Sequence, residues 1–169
     1  MQFYLIHFNA LTLKIIYNNG SYTEDLCMKK TISEVPDCTV FLLGKAYQKA
    51  HGDFKKQLKP FGLTNMQHLV LEGLWYEEGL TASELGRLLI LDKATLSGVL
   101  DRMVEGDWVV KKQDPDDKRI HRIFPSEKAN QMKTELIDVR KEANENLLSE
   151  FKPEERILLK RFLRDLIFD

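Results

Sequence analysis

The stretch that decides the fold is Leu80–Ser126, LTASELGRLLILDKATLSGVLDRMVEGDWVVKKQDPDDKRIHRIFPS. A helix should start at Thr81, because Thr81-Ala82-Ser83-Glu84 has the spacing of a capping box, in which the Thr hydroxyl and the Glu carboxylate each accept from an amide left free at the helix start. Asp92 is a second cap. Apolar residues spaced three and four apart follow both caps, which predicts two short amphipathic helices. They are Leu85, Leu88 and Leu89, then Leu96, Val99, Leu100 and Met103.

A charged hairpin follows the second helix. Trp108–Lys112 and Arg119–Phe124 are typical of short β-strands, and the segment between them, Gln113–Lys118, is rich in Asp and Pro, as turns are. Gly106-Asp107 ends the helix, and we expect Asp107 to take up the left-handed backbone that the turn requires. Helix, turn, helix and hairpin together predict a winged helix-turn-helix, a fold that places its second helix in the major groove of DNA.

This region resembles the MarR (multiple antibiotic resistance regulator) family of transcription factors. The resemblance rests on LTASELGRLL, LDKATLSGVLDRM and the wing VVKKQDPDDKRIHRIFPSEKA. The wing carries the family's D-P-x-D-x-R pattern as Asp114, Pro115, Asp117 and Arg119. The similarity runs from about Cys38 to the C-terminus. The sequence departs from the family at Gly98, where many relatives have a polar or basic residue, and at Ile90, where Gly is common.

The second helix and the wing supply the candidate DNA contacts. The polar face of the helix carries small or basic side chains that can approach a phosphate or a base edge: Lys93, Thr95, Ser97 and Arg102. Arg102 could instead pair with Asp101 or Asp117. By resemblance, Arg119 reaches the minor groove, Lys118 touches phosphate, Asp117 supports the wing by pairing with an arginine, and Asp114 supports it as well. The alternative is a solvated hairpin tip, or a winged helix that binds a protein partner and no DNA.

The composition places positive charge locally. The 169-residue chain has a formal net charge of −1, which is unlike a generic DNA-coating protein. Five basic residues nevertheless fall between Lys111 and Arg122. The sequence contains no nucleotide-binding, zinc-protease or hydrolase motif, and its two cysteines give neither a disulfide framework nor a metal cluster. We therefore expect a cytoplasmic protein of bacterial type that is not an enzyme and needs no cofactor.

Residues 1–37 are expected to be an extension that precedes a MarR-like domain at 38–169. Phe3–Ile16 is apolar but too short to span a bilayer. It is either an amphipathic anchor or an extra dimer contact, or residues 1–27 lie upstream of the true start. We favour the last interpretation, because Met28-Lys29-Lys30-Thr31 looks like a bacterial start.

The expected fold is mainly α, with a winged helix-turn-helix at 62–125 between dimerisation helices at 38–59 and 126–168. Val40–Leu58 and Ser126–Ser149 show helical apolar spacing, and Pro153 starts a last helix with a broad apolar face. The resemblance implies that these helices interlock in a homodimer. Two recognition helices roughly 34–36 Å apart would then read a pseudo-palindromic operator, with the protein acting as a repressor.

Two kinds of effector are consistent with the sequence. A small aromatic or phenolic ligand could bind between the dimer helices and the winged domain, as it often does in the family. The candidate lining residues are Phe54, Phe61, Met66, His68, Trp75 and Met103. Their helical spacing is also typical of plain core. The other candidate is oxidation of Cys38. A nearby helix N-terminus would stabilise its thiolate and the charge of Asp37 would destabilise it, and a buried or incidental thiol is the simpler interpretation.

Overall fold

The computed structural model describes residues 37–168; the predicted anchor or dimer contact in residues 1–27, and the predicted start at Met28, lie outside this range. Within it, the elements are α1 Thr39–Leu58, a 3-10 turn Lys59–Phe61, α2 Asn65–Tyr76, β1 Leu80–Thr81, α3 Ala82–Leu89, α4 Lys93–Glu105, β2 Val109–Gln113, β3 His121–Pro125, α5 Glu127–Gln131, α6 Lys133–Leu147 and α7 Pro153–Ile167. The chain divides into two compact units between Leu43 and Gly44. None of the helices described is long and apolar enough to cross a membrane.

Side-chain caps begin the two helices of the helix-turn-helix. The Thr81 hydroxyl accepts from the Glu84 amide at 3.2 Å, and the Glu84 carboxylate accepts from the Thr81 amide at 2.8 Å. Asp92 accepts from the Thr95 amide at 2.9 Å. These bonds hold the pKa of both the Glu84 and the Asp92 carboxyl groups below their usual range. The predicted capping box of α3 and the predicted cap of α4 are confirmed.

The core lies under α4 and is shared by the helices and the sheet. Leu96, Leu100 and Met103 of α4 are almost fully buried. Removing a leucine side chain from water contributes roughly 1.5–3 kcal/mol, so this stripe holds α4 firmly in place. The buried side chains that belong to the same cluster include Leu71 and Leu74 of α2, Leu85 of α3, Val109 of β2, Ile123 of β3 and Leu136 of α6.

The three strands form an antiparallel sheet in the order β1-β3-β2. The predicted hairpin is present, but its strands begin one or two residues later than expected. Trp108 is buried before β2 begins, and Arg119 belongs to the tip. Within the tip, the Ile120 amide donates to the Asp117 carbonyl at 2.9 Å. This hydrogen bond forms a turn and keeps Arg119 out of the pairing between β2 and β3.

The helix expected over Ser126–Ser149 is interrupted at Met132, whose ψ of −1° departs from helical values. The two pieces are fastened to different neighbours. In α5, Lys128 Nζ donates to the Gly106 carbonyl at 2.9 Å, beside the hairpin. In α6, Leu136 is buried in the core and its carbonyl oxygen accepts from His68 of α2. The expectation of one continuous helix is wrong because these two anchors differ.

Within residues 37–168, two residues other than glycine have a left-handed backbone. Asp107 has φ 55°, as predicted, and Ile90 has φ 54° in the turn between α3 and α4. A left-handed conformation costs an L-residue roughly 1–2 kcal/mol, and a β-branched side chain is especially unsuited to it. The side chain of Ile90 is mostly exposed, so little buried surface offsets this cost.

Replacing Ile90 by glycine should therefore raise the free energy of unfolding by about 1 kcal/mol, because glycine adopts this backbone without steric cost. Chemical denaturation monitored by circular dichroism measures the change. Asp107→Gly is the matched control and should give a smaller gain, because Asp tolerates the left-handed region better than Ile. A lower stability for Ile90→Gly would show that the Ile side chain contributes more than the backbone strain costs.

Candidate nucleic-acid interface

The outer face of α4 is exposed and polar. Lys93, Thr95, Ser97 and Arg102 all lie on it. The Thr95 hydroxyl donates to the Asp92 carboxylate at 2.6 Å, so its oxygen remains able to accept a hydrogen bond from outside. At Gly98, an added Cβ would meet no atom within 4 Å. The middle of this face is therefore smooth, and the helix backbone can approach a groove closely.

Neither carboxylate considered as a partner for Arg102 is paired with it among residues 37–168. Asp101 instead binds Lys111 of β2, with 2.8 Å between the carboxylate oxygen and Nζ. Asp117 binds Arg119. The guanidinium of Arg102 is exposed on the same face as the other candidate contacts.

The wing tip is organised around the nearly buried carboxylate of Asp114. One carboxylate oxygen accepts from the amides of Asp116 and Asp117, at 2.8 and 3.0 Å, and the other accepts from Arg122. These three donors, the two amides first, hold the pKa of the Asp114 carboxyl below its usual range. Asp114 therefore stays ionised, and it acts as the internal support of the tip.

Arg119 stands at the outermost part of the wing, with 89% of its side chain exposed. The Asp117 carboxylate forms a bidentate ion pair with this guanidinium, in which Arg119 Nε and NH2 donate to the two carboxylate oxygens at 3.0 and 2.8 Å. The pair raises the pKa of Arg119 and lowers that of Asp117. An exposed pair of this kind contributes little to the stability of the fold, so its main effect is to orient the guanidinium of Arg119. Lys118 is exposed beside it.

Helix α4 and the hairpin share one face of the molecule. A recess of about 830 Å³ lies between α3, α4 and the hairpin, and Lys93 and Ser97 line it together with Lys111 and His121. Arg87 of α3 lines it as well. Arg87 and His121 could not be identified as contacts from the sequence, because only the packing of α3 against the hairpin brings them here.

A second cavity, of about 460 Å³, lies between α1, α2 and α6. Of the predicted lining residues, Phe54, Met66 and His68 do line it. Phe61 and Trp75 instead pack against the core, and Met103 is fully buried within it. The cavity wall also contains an ion pair between Arg140 and Glu72, with 2.5 Å between Nε and the carboxylate oxygen. Half of the predicted set therefore does not line this cavity.

His68 is a buried histidine that links α2 to α6. Its Nε2 lies 3.1 Å from the carbonyl oxygen of Leu136. A carbonyl only accepts, so Nε2 carries a hydrogen. The ring also meets Phe54 and Trp75 edge to face. Burial lowers the pKa of His68, because the charged form loses its hydration.

Cys38 is exposed just before α1, so of the two simpler interpretations of this residue the buried thiol is excluded and the incidental thiol stays a prediction. Hydrogen bonds from the amides of Phe41 and Val40 lower its pKa, as expected for a thiol at a helix N-terminus. No group of three or more His, Cys, Asp or Glu side chains among residues 37–168 is placed to hold a metal ion.

Comparison with known proteins identifies the family. A model of the MarR family matches residues 63–121. The chain is 34% identical over 97 residues to the HTH-type transcriptional regulator TtmR of Methylorubrum extorquens, an alignment that covers 57% of this chain and 48% of TtmR. It is 30% identical over 99 residues to the organic hydroperoxide resistance transcriptional regulator of Bacillus subtilis, covering 59% of this chain and 67% of that protein. The chain belongs to the MarR family.

This MarR-family chain spans about half the length of TtmR and two thirds of the Bacillus regulator. Its fold matches a solved structure of BpsR from Bordetella bronchiseptica with a TM-score of 0.74 and 21% identity, covering 79% of this chain and 95% of that one. The predicted family and the predicted mainly helical winged fold are confirmed.

The stability of the protein should fall as the pH decreases from about 7.5 to 5.5, because of His68. The pKa of His68 in the folded state lies below the unfolded value of about 6.5. As the pH falls below about 6.5, the unfolded chain therefore binds a proton at this residue more readily than the folded chain does. The contribution of neutral His68 is thus complete above this window and is lost below it. Thermal unfolding across this pH range, which lies above the titration of most carboxylates, measures the loss.

The His68→Gln variant should show a weaker dependence of stability on pH. The control is His121→Gln, which replaces an exposed histidine and should leave the dependence unchanged. Equal slopes of stability against pH in both variants and the unmodified protein would contradict the role given to His68.

Proposed function

We propose that this MarR-family chain is a cytoplasmic, homodimeric repressor that binds a pseudo-palindromic DNA operator. The main support for the proposal is that the exposed side of α4 and the basic hairpin lie next to each other on one face. A protein with a net charge of −1 needs such local positive charge to attract DNA. A smooth helix face next to a flexible cation at a wing tip suits insertion into a major groove and the adjacent minor groove.

Each candidate contact has a distinct role in this proposal. In the major groove, Lys93, Thr95 and Ser97 would meet base edges or nearby phosphates, and Arg102 a phosphate. In the minor groove, Arg119 would be held extended by Asp117, while Lys118 would contact the backbone. Asp114 would not touch DNA, because its carboxylate is already satisfied inside the tip.

The homodimer is supported by the apolar surface of α7. This helix buries no side chain in the single chain, although many of its residues are apolar. Its exposed apolar side chains are Ile157, Leu158, Phe162, Leu163, Leu166 and Ile167. An apolar surface of this extent is typical of an interface, and a second copy with two-fold symmetry would cover it.

Modulation by a small aromatic or phenolic ligand is supported by the cavity between α1, α2 and α6. Its volume lies in the range of small-ligand sites, and Phe54 and Met66 give it apolar walls while Arg140 offers a charge. The BpsR structure concerns regulation of DNA binding by 6-hydroxynicotinic acid. Oxidation of Cys38 is the second candidate, favoured by the exposure and lowered pKa of the thiol.

Operator binding is tested with DNA from immediately upstream of the gene for this protein, against an unrelated competitor. The protein should bind as a dimer and lose affinity with salt, with a log–log slope of roughly 0.9 per phosphate contacted. Arg119→Ala should weaken binding by about 1–3 kcal/mol with little change in melting temperature, because the side chain is 89% exposed and its one ion pair, with Asp117, is at the surface.

The matched control for this measurement is Lys56→Ala, which also breaks an exposed ion pair, that with Asp53, but lies far along the chain from the wing. It should bind DNA like the unmodified protein. No preference for the upstream DNA, together with no salt dependence, would favour a winged helix that binds a protein partner. Normal binding by Arg119→Ala would show that the wing is not used.

The ligand proposal is tested by filling the cavity. Ala143 lines it and is only partly exposed, so Ala143→Phe should occupy the space of a small ligand. We expect hydroxybenzoates to weaken operator binding by the unmodified protein, by about 1–3 kcal/mol as is common for coupled sites, and to leave Ala143→Phe unaffected. Titration calorimetry with the same compounds gives the binding directly. A response that survives in Ala143→Phe would place the ligand elsewhere, and a response only to peroxide would favour Cys38.

A further inference from the structure

Arg122 joins two segments that are far apart in the sequence. Its Nε donates to the inner carboxylate oxygen of Asp114, and its NH1 donates to the carbonyl of Gly79 at 2.9 Å. We propose, taking the proposed DNA binding as given, that Arg122 is a positioning residue. It fixes the wing tip and Arg119 relative to the segment that follows α2.

The tip depends on Arg122 through an unbroken series of hydrogen bonds. Arg122 holds one oxygen of Asp114, and the other oxygen accepts from the amides of Asp116 and Asp117. Asp117 in turn receives the amide and the guanidinium of Arg119. Because only 5% of Asp114 is exposed, its carboxylate needs a cationic partner, and water cannot replace Arg122 there without opening the tip.

The other end of the connection is rigid. Gly79 has φ 77°, and a Cβ on it would lie 3.1 Å from the ring of Phe124, so the segment is tightly packed against β3. The Gly79 amide also donates to the Ile123 carbonyl at 3.0 Å. A contact to Gly79 is therefore a contact to a fixed point, which is what a positioning residue requires.

The geometry calls for a guanidinium at this position. Arg122 directs two N–H groups from one planar head toward two acceptors, which an ammonium on a lysine cannot do with the same geometry. Arg122 is also only partly exposed, in contrast to Arg119. Two of its N–H donors are engaged with acceptors of the protein, so we expect its effect on DNA to act through Arg119.

A double-mutant cycle of operator affinity separates the two roles. Arg122→Lys keeps the charge but loses the forked geometry, and it should weaken binding by about tenfold, which corresponds to about 1.4 kcal/mol. In an Arg119→Ala background the same change should weaken binding by less than about twofold, because the residue that it positions is gone. Lys112→Gln is the matched control, since Lys112 faces Arg122 across the hairpin; it removes a charge and leaves the connection intact.

Three outcomes of the cycle overturn the proposal. Additive effects of Arg122→Lys and Arg119→Ala would mean that Arg122 contacts DNA itself. Unchanged binding by Arg122→Lys would mean that charge alone is needed. A loss in Lys112→Gln that is equal in size and equally coupled to Arg119→Ala would mean that any change in this part of the hairpin displaces the tip, with no particular role for Arg122.

A measurement without DNA keeps this proposal separate from that of DNA binding. The amides of Asp116 and Asp117 should exchange with solvent about tenfold faster or more in Arg122→Lys than in the unmodified protein, while the amides of α4 should not change. If Arg122→Lys fails to fold, Asp114→Asn replaces it, because it removes the charge that Arg122 binds and retains an acceptor for the two amides. Unchanged exchange at the tip would overturn the positioning role; failure of the unmodified protein to bind DNA, with exchange accelerated as expected, would overturn only the proposed function.

Discussion

Helix α4 can present a polar face only because its opposite face is held in the core. Leu96, Leu100 and Met103 are each almost fully buried, and they fix the rotation of the helix about its own axis. A helix turned by even one residue, about 100°, would bury polar side chains and expose leucines, at a cost of several kcal/mol. The positions of Thr95 and Ser97 on the outer face follow from this constraint. The outer face is thus selected by the core rather than by any contact of its own.

Features set by neighbouring residues could be predicted from the sequence. The caps at Thr81 and Asp92 depend on bonds that span three residues, and both form as expected. The left-handed turn at Asp107 is equally local. The interruption at Met132 could not be predicted, because it depends on where α5 and α6 are anchored on distant parts of the chain. The start of β3 was placed too early for a related reason, since bonds across the tip decide where strand pairing begins.

The candidate cavity shows the same limit. Helical spacing groups Phe54, Met66 and His68 with Phe61, Trp75 and Met103, but it does not say which of them face open space. That depends on α6, whose Arg140 pairs with Glu72 and whose Leu136 carbonyl accepts from His68. The members of the predicted set that do not line the cavity belong to α4, to the turn that follows α1 and to the last turn of α2. A helical pattern identifies apolar residues; only the packing partner separates wall from core.

Helix α2 is the element that borders both the cavity and the support of the wing. Its first two turns contribute Met66, His68 and Leu69 to the cavity, and the chain that leaves its other end carries the Gly79 carbonyl that Arg122 holds. Between the two lies a helix whose inner face is buried and which therefore moves as a unit. A displacement of α2 would therefore also shift the point to which the wing is fastened. Under the proposed control of DNA binding by a ligand, the coupling would need no long series of side chains, because this one helix extends from the cavity toward the Gly79 carbonyl that Arg122 contacts.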